Sequence, residues 1–158
     1  MRVAVACDHA GFPLKARTLK EVEAAGHEAV ELGVYSTEPS DYPDAAAELG
    51  EAMIEGHAER GILLCGSGVG ASVAASKIPD IRAALCHDNY SAHQGVEHDD
   101  MNVLCLGARI VGEELAAELV RTFLAASFQH EERFVRRLNK VKAIEQRYSV
   151  SRSEERVG

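Results

Sequence analysis

The chain has 158 residues, 46% of them hydrophobic, and a formal net charge of −8 at pH 7. This length and composition are typical of one globular domain with a substantial core. The acidic balance excludes general affinity for nucleic acid, and no apolar run approaches the ~20 residues of a membrane span. Residues 1–4 lead directly into a strand pattern without a signal-peptide apolar segment, so we expect a cytoplasmic protein.

Short aliphatic runs alternate with longer helical patterns along the chain. The predicted strands are Arg2–Cys7, Glu28–Leu32, Gly61–Cys65, Arg82–Cys86 and Asn102–Leu106. The predicted helices are Pro13–Ala25, Tyr42–His57, Val69–Lys77, Tyr90–His98, Gly112–Ser127 and Glu131–Tyr148. The alternation predicts a doubly wound, Rossmann-like α/β fold, whose five parallel strands are apolar along their length and covered on both faces. We expect a domain over residues 1–148 and a disordered polar tail over 149–158.

The most informative segment is Cys65–Gly70, which reads Cys-Gly-Ser-Gly-Val-Gly between the third strand and a helix. Glycines allow a sharp turn and a close approach of the backbone to a ligand, and the N-terminal end of a helix attracts anions. The same partial charges favour a thiolate at Cys65. This pattern predicts an anion site beside a nucleophile or a base. The other cysteines, Cys7, Cys86 and Cys105, are predicted to be buried and reduced.

Polar side chains follow all five predicted strands. Ligands of open α/β sheets bind outside the carboxyl ends of the strands. The side chains expected at this edge are Asp8, His9, Asp41, Tyr42, Cys65, His87, Asp88 and Arg109. Such a combination of side chains is typical of a catalytic crevice. Asp8 and His9 alone could equally form a hydrogen bond that closes a turn.

Two motifs leave other ligands open. Gly66–Ala71 fits a dinucleotide fingerprint, with Asp88 near the expected ribose-binding acid, but the motif follows the third strand instead of the first. His93 and Glu97 share a helix face, as two metal ligands would, yet their spacing matches no zinc-protease helix motif. The sequence has no Gly-Lys-Ser/Thr end of a P-loop.

Basic residues cluster on the last predicted helix, namely Arg133, Arg136, Arg137, Lys140 and Lys142. A solvated face is the ordinary interpretation of such a run. Arg133 and Arg137, however, lie one helical turn apart and could bind one anion together.

Several ordered motifs together resemble the ribose-5-phosphate isomerase B family, which also contains the galactose-6-phosphate isomerase subunits. The resemblance extends to about residue 147 and rests on Val5–Lys15, Asp41–Pro43, Cys65–Gly70, Tyr90–Ala92, Glu97–Leu104 and Leu106–Arg109. It implies an aldose–ketose isomerase that needs no metal or cofactor and interconverts ribose 5-phosphate and ribulose 5-phosphate through a cis-enediolate. The alternatives are an isomerase of a tetrose or hexose phosphate, or a non-catalytic sugar-phosphate or nucleotide binder.

The resemblance also implies residue roles. Cys65 is the base, Ser67 assists the substrate oxygens, His98 opens the sugar ring, and Asp8 assists on the other side of the sugar. Ala71 stands where a second lineage of the family has a catalytic glutamate, so the chain resembles the cysteine lineage. The implied substrate-binding residues are His9, Tyr42, Gly66, Gly68, Val69, Gly70, Asp99, Arg109, Arg133 and Arg137, of which His9 and the three arginines match phosphate ligands.

Three residues depart from the family pattern. Asp99, Phe134 and Val96 stand where relatives commonly have Asn, His and Arg. A carboxylate near an enediolate and a phosphate is repelled unless it is paired or protonated. These departures therefore bear on the identity of the substrate.

The resemblance further implies a homodimer or a dimer of dimers with active sites built from two subunits. His98 and Arg109 would then serve the Cys65 of the neighbouring subunit. The apolar stripe formed by Leu115, Leu119 and Phe123 could be ordinary core or part of a subunit contact.

Overall fold

The computed structural model describes residues 1–154, with side chains described through residue 149. Its elements in chain order are β1 Arg2–Cys7, α1 Phe12–Ala24, β2 Glu28–Glu31, α2 Tyr42–Ile54, β3 Arg60–Cys65, α3 Val69–Ala75, β4 Ala83–Leu85, α4 Asn89–Asp99, β5 Val103–Gly107, α5 Glu113–Ala125 and α6 Glu132–Glu154. Every predicted strand and helix is present, close to its predicted bounds. Helix α6 continues past its predicted end at Tyr148. Residues 155–158 of the expected tail lie outside the described residues, and the division into a domain and a tail stays a prediction.

The five strands form one parallel sheet in the order β2-β1-β3-β5-β4. The predicted Rossmann-like α/β fold is thus confirmed. Cys7 lies opposite Leu64 on the neighbouring strand, and Cys65 lies opposite Gly107. The carboxyl ends of β1, β3 and β5 are therefore nearly level, and the residues that follow them meet at one edge of the sheet.

Alternating side chains of the central strands feed two hydrophobic cores, one on each face of the sheet. Val5 belongs to the core that also contains Leu14 of α1, Val96 of α4 and Phe123 of α5. The opposite core contains Ala6, together with Leu49 of α2 and Ala71 of α3. Helices on both faces cover the central strands completely, which is the arrangement that an all-parallel sheet requires.

The two edge strands differ from the expectation that every strand is apolar along its length. Glu28 and Glu31 at the ends of β2 are exposed, and Leu85 of β4 is also exposed. An edge strand has a neighbour on one side only, so part of its surface stays in water. In the apolar stripe of α5, Leu119 and Phe123 are fully buried in the core.

All four cysteines are buried free thiols, which confirms the predicted burial of Cys7, Cys86 and Cys105. Burial raises the pKa of Cys7 and of Cys86 from 9.0 to about 11, and it raises the pKa of Cys105 as well. Three thiols are therefore held neutral by the core. No helix within residues 1–154 combines the length and the apolar character needed to span a bilayer.

Candidate active site

A cavity of about 370 Å³ opens at the carboxyl ends of β1, β3 and β5. We call it the Cys65 cavity. Its lining consists of Asp8, His9, Ala10, Tyr42, Cys65, Gly66, Ser67, Gly70, Arg109 and Ile110. Most of the polar residues predicted to follow the strands therefore lie together. Ala10 and Ile110 were not predicted, because small and apolar residues carry no signal of a ligand site.

The loop between β3 and α3 depends on two glycines at close backbone contacts. Gly68 has φ +81°, and a Cβ there would lie 2.5 Å from Leu85 Cδ1. A Cβ on Gly107 would lie 2.5 Å from the backbone of Ser67. The sequence predicted the need for glycine at position 68. It did not predict the need for glycine at position 107, which arises because β5 lies against the loop.

The Cys65 thiol lies at the start of helix α3. The Gly68 N–H donates a hydrogen bond to Cys65 Sγ at 3.1 Å, and the side chain is almost fully buried. An N–H donor at the positive end of a helix stabilises negative charge on sulfur. The exposed Ser67 hydroxyl accepts a weak hydrogen bond of 3.3 Å from the Val69 N–H at the same turn. The loop therefore gathers a thiol, a hydroxyl and backbone donors at one end of the cavity.

His87 supports the loop from behind. Its Nε2 accepts a hydrogen bond from the Gly107 N–H at 3.0 Å, and partial burial lowers the pKa of its imidazole. Only an unprotonated Nε2 can accept this bond. His87 therefore stabilises the strand end that packs against Ser67, although it does not line the cavity.

Tyr42 lies at the first residue of α2 and forms one side of the cavity. A Cβ on Gly70 would lie 2.8 Å from Cζ of the Tyr42 ring. The ring thus rests directly against glycine backbone, an approach that any other residue at position 70 would block. Val69 is half exposed on the outer side of α3 and does not line the cavity.

Asp8 and His9 do not bond to each other. The buried Asp8 carboxylate accepts the Gly11 N–H at 2.9 Å and so closes the turn that begins α1. The His9 N–H donates to Ser40 Oγ at 2.9 Å, and His9 Nδ1 lies 3.0 Å from the Ser40 carbonyl and 3.1 Å from its N–H. The hydrogen bond between Asp8 and His9 that the sequence left open is therefore wrong, because Asp8 closes its turn with the Gly11 N–H and His9 binds Ser40. Ser40 was not predicted, because its only signal was a serine directly before Asp41-Tyr42-Pro43.

Arg109 lies in the cavity of its own chain, which differs from the expectation that it serves the Cys65 of a neighbour. The physical reason is the turn after β5, where the Arg109 N–H donates to the Gly66 carbonyl at 2.9 Å. Its guanidinium also lies beside the Gly66 backbone. Within residues 1–149 no hydrogen bond or ion pair engages the Arg109 side chain. The cavity therefore contains a cation that is available to an anionic ligand.

Besides Gly68 and Val69, four predicted site residues do not line the Cys65 cavity of the same chain, namely His98, Asp99, Arg133 and Arg137. His98 and Asp99 end helix α4, whereas the two arginines lie on α6. His98 stacks on Phe134, with ring centroids 4.1 Å apart, and the Arg133 guanidinium lies 4.5 Å from the centre of the Phe134 ring. We call His98, Phe134, Arg133 and Arg137 the α4–α6 cluster. Phe134 was expected to bear on the identity of the substrate, and the structure places it against His98.

The residues of the alternative motifs have partners within α4. Asp88 caps the helix by accepting the Ser91 N–H at 2.7 Å, and this hydrogen bond lowers the pKa of its carboxyl. His93 Nδ1 lies 3.0 Å from Glu97 Oε2. Among the described residues, no three His, Cys, Asp or Glu side chains cluster as metal ligands would. Asp88 is therefore engaged as a helix cap, which weakens the nucleotide interpretation of this motif.

A family model described as Ribose/Galactose Isomerase matches residues 3–141. The chain belongs to this family. It is 41% identical over 146 residues to ribose-5-phosphate isomerase B of Escherichia coli K12, covering 92% of this chain and 97% of the relative. It is 38% identical over 133 residues to a D-erythrulose-4-phosphate isomerase of Pectobacterium atrosepticum, covering 82% and 86% of the two chains. Among solved structures, ribose-5-phosphate isomerase B of Clostridium thermocellum superposes with a TM-score of 0.90 at 40% identity, covering 94% of this chain and 99% of that one.

Proposed function

We propose that this protein interconverts ribose 5-phosphate and ribulose 5-phosphate. The observation that carries the proposal is the position of Cys65, whose sulfur accepts the Gly68 N–H in a cavity that also contains Ser67 and the unpaired Arg109. A base, a hydroxyl and a cation are the groups that an isomerase of a sugar phosphate requires. The high identity to an isomerase named for this substrate supports the choice of ribose 5-phosphate.

Cys65 is the proposed base for proton transfer between the two carbons. Its thiolate removes the proton from C2 of the open-chain aldose, and the electron pair moves through C1 to the carbonyl oxygen. The resulting cis-enediolate carries negative charge on oxygen, which the N–H groups of residues 66–70 and the Ser67 hydroxyl stabilise without reorganisation. A proton then moves from the oxygen on C2 to the oxygen on C1, and return of the proton from Cys65 to C1 yields the ketose. Since the proton stays within this cycle, the reaction needs no redox cofactor.

The phosphate is proposed to bind between two sets of side chains, one in the Cys65 cavity and one on α6. His9 and Arg109 line the Cys65 cavity, whereas Arg133 and Arg137 are exposed on α6. Arginine suits this role because its planar guanidinium can form two parallel hydrogen bonds with a phosphate. Contacts to the phosphate, remote from the reacting carbons, orient the sugar at Cys65.

We further propose a homodimer in which the α4–α6 cluster of one subunit completes the Cys65 cavity of the other. His98 and both α6 arginines lie outside their own chain's cavity, so a second copy must supply them if they act there. Exposed apolar side chains of the nearby elements α3 and β4 and of the residues after β5 offer a contact surface, namely Val69, Val73, Leu85 and Ile110. The four free thiols are consistent with a reducing compartment, and we propose the cytoplasm.

The first test measures initial rates on ribose 5-phosphate beside tetrose and hexose phosphates. We expect ribose 5-phosphate to be preferred and Cys65→Ala to lower kcat by a factor on the order of 10³. Cys86→Ala is the matched control, since it removes a buried thiol that does not line the cavity. Full activity of Cys65→Ala would reassign the base.

A tetrose phosphate is the second candidate substrate, and one comparison favours it specifically. The Pectobacterium atrosepticum relative is named for D-erythrulose 4-phosphate. Two residues that depart from the family pattern lie next to His98: Asp99 follows it in the sequence, and the Phe134 ring stacks on its imidazole. A higher kcat/KM on erythrulose 4-phosphate than on the pentose phosphates would select this candidate.

Shared active sites are tested by mixing two inactive variants. Cys65→Ala and His98→Ala each destroy one half of the proposed site, but a mixed dimer contains one site built from two intact halves. Refolding them together should restore about a quarter of the wild-type sites, as random pairing of subunits in a two-fold dimer requires. If a mixture shown to contain mixed dimers had no activity, the proposal that two subunits share each active site would be contradicted.

A further inference from the structure

Two side chains fix the ring of His98 from different directions. The Gln94 side-chain nitrogen lies 2.8 Å from His98 Nδ1, one turn earlier on α4. The Phe134 ring stacks on the face of His98 at an interplanar angle of 14°, and Phe134 is itself only 2% exposed. Rotation of the imidazole would break the hydrogen bond at one edge and the stacking on one face. His98 is therefore held in one orientation although its side chain is partly exposed.

The partner at Nδ1 decides which ring nitrogen carries the proton. An amide N–H donates, so Nδ1 accepts and the neutral imidazole carries its proton on Nε2. When the ring is cationic, a half-turn of the amide lets Gln94 Oε1 accept the Nδ1 proton instead, and Nε2 again keeps its own. The nearby carboxylate of Glu97 is bonded to His93 and does not occupy Nδ1. With its amide nitrogen facing Nδ1, as observed, Gln94 thus favours a proton on Nε2 in the neutral ring, and the cationic ring carries one there as well.

We propose that Gln94 and Phe134 are positioning residues that present His98 Nε2–H to the ring oxygen of a furanose sugar phosphate. This inference rests on the proposed function and deepens it. In ring opening, the bond between C1 and the ring oxygen breaks, its electron pair stays with that oxygen, and the oxygen takes the Nε2 proton of the cationic ring. The C1 hydroxyl loses its proton to Asp8 and becomes the carbonyl. Transfer of that proton through water from Asp8 to His98 restores both groups.

Comparing rates from the two substrates of the proposed reaction distinguishes a role in ring opening from a general loss of activity. Ribose 5-phosphate is mainly a furanose, which must open before the base can act. Ribulose 5-phosphate cannot close such a ring, because the oxygen that would attack its C2 carbonyl carries the phosphate. From the ketose, the enzyme can form and release the open-chain aldehyde without any ring step. A positioning residue for ring opening therefore affects initial rates from the aldose and not those from the ketose.

The kinetic test uses Gln94→Leu, which keeps the bulk of the side chain and removes the hydrogen bond. We expect the initial rate from ribose 5-phosphate to fall about five- to tenfold, the size of one hydrogen bond, and the rate from ribulose 5-phosphate to stay within about twofold. His93→Gln is the matched control on the same helix and should change neither rate. Equal losses in the two directions would overturn the proposal.

The second readout is the ¹⁵N NMR spectrum of the His98 ring in the full-length protein. The wild type should show the neutral ring protonated at Nε2, and Gln94→Glu should place a proton on Nδ1, because a carboxylate can only accept there. A wild-type ring protonated at Nδ1 alone would overturn the proposal. Failure of the wild type to convert either pentose phosphate would overturn the proposed function and the ring-opening role together. The NMR result on the Gln94 contact would still stand in that case.

Discussion

The Cys65 cavity and the α4–α6 cluster are built in opposite ways. The cavity lies at three adjacent strand ends, and close backbone contacts of Gly68, Gly70 and Gly107 set its shape. The cluster consists of side chains on two helices, and the stacking of His98 on Phe134 holds it together. In the proposed mechanism, a sheet edge fixes the base rigidly, whereas packing between helices fixes the groups that would act on the rest of the substrate. The chain therefore carries its proposed chemistry as two separable halves.

The two halves nevertheless share one electrostatic property. Arg109 in the cavity and Arg137 in the cluster are exposed, and neither forms an ion pair within residues 1–149. In a chain with a net charge of −8, carboxylates that could pair with these cations are abundant. Two cations kept free of such partners can each give their full charge to a phosphate. This supports the proposal that both halves bind the same anion.

The largest expected effect on folding is that of Gly68→Ala, which tests whether backbone geometry shapes the cavity. Gly68 has φ +81°, and its new Cβ would strike Leu85. Gly56→Ala is the matched control, because Gly56 has φ +77° and a Cβ there would meet no atom within 4 Å. We expect a loss of about 2–4 kcal/mol at position 68 and about 1 kcal/mol at position 56. Urea unfolding measures both, and equal losses would show that the contact with Leu85 is unimportant.

The same contrast explains what the sequence predicted well. The spacing of aliphatic runs and helical patterns locates every strand and helix, because these elements follow local periodicity. The glycines of Cys65–Gly70 and the polar residues after each strand predict the cavity, since parallel strands bring their carboxyl ends to one edge. Arg109 lines this cavity, but its place in its own chain was not predictable, because the turn that holds it depends on the pairing of β3 with β5.

Features that depend on long-range packing were not predictable. The stacking of Phe134 on His98 requires α6 to dock against α4, and no periodicity in either helix encodes that pairing. Phe134 drew attention only as a departure from the family pattern. Ser40, the partner of His9, gave almost no signal, because a serine in a polar loop is ordinary. The exposed glutamates of β2 show a third limit, since the strand order that places β2 at an edge is set by the whole sheet.

The second largest effect concerns the α4–α6 cluster and is expected from Phe134→Leu. Leucine keeps the site apolar but leaves part of the ring volume empty and removes the stacking, at a cost of about 1–2 kcal/mol. Phe134→Tyr is the matched control, because it retains an aromatic ring that can stack on His98. For Phe134→Leu, the melting temperature and the initial rate from ribose 5-phosphate should both fall. Unchanged activity alongside lower stability would limit Phe134 to a structural role.

Arg137→Gln should leave folding almost untouched while weakening the phosphate site. Because Arg137 is exposed and unpaired within the described side chains, we expect the substitution to change the free energy of unfolding of the protein by less than about 0.5 kcal/mol. The KM for ribose 5-phosphate should rise by about ten- to a hundredfold, as the loss of one charged hydrogen bond implies. Arg136→Gln removes the same charge from a residue already paired with Glu132, and its KM should stay unchanged. A rise in KM for both variants would indicate a general effect of charge.

The smallest expected effect is a loss of stability at alkaline pH. It arises from Cys86, a buried thiol of the core that, unlike Cys65, does not line the cavity. Burial raises the pKa of Cys86 from 9.0 to about 11, so the folded protein keeps this thiol neutral where the unfolded chain already ionises it. The stability that results is fully present below pH 9 and is lost as the pH rises through about 11. Cys86→Ala removes this dependence, so its melting temperature should fall less steeply than that of the wild type between pH 9 and 11. Parallel curves would show that ionisation of Cys86 is not coupled to unfolding.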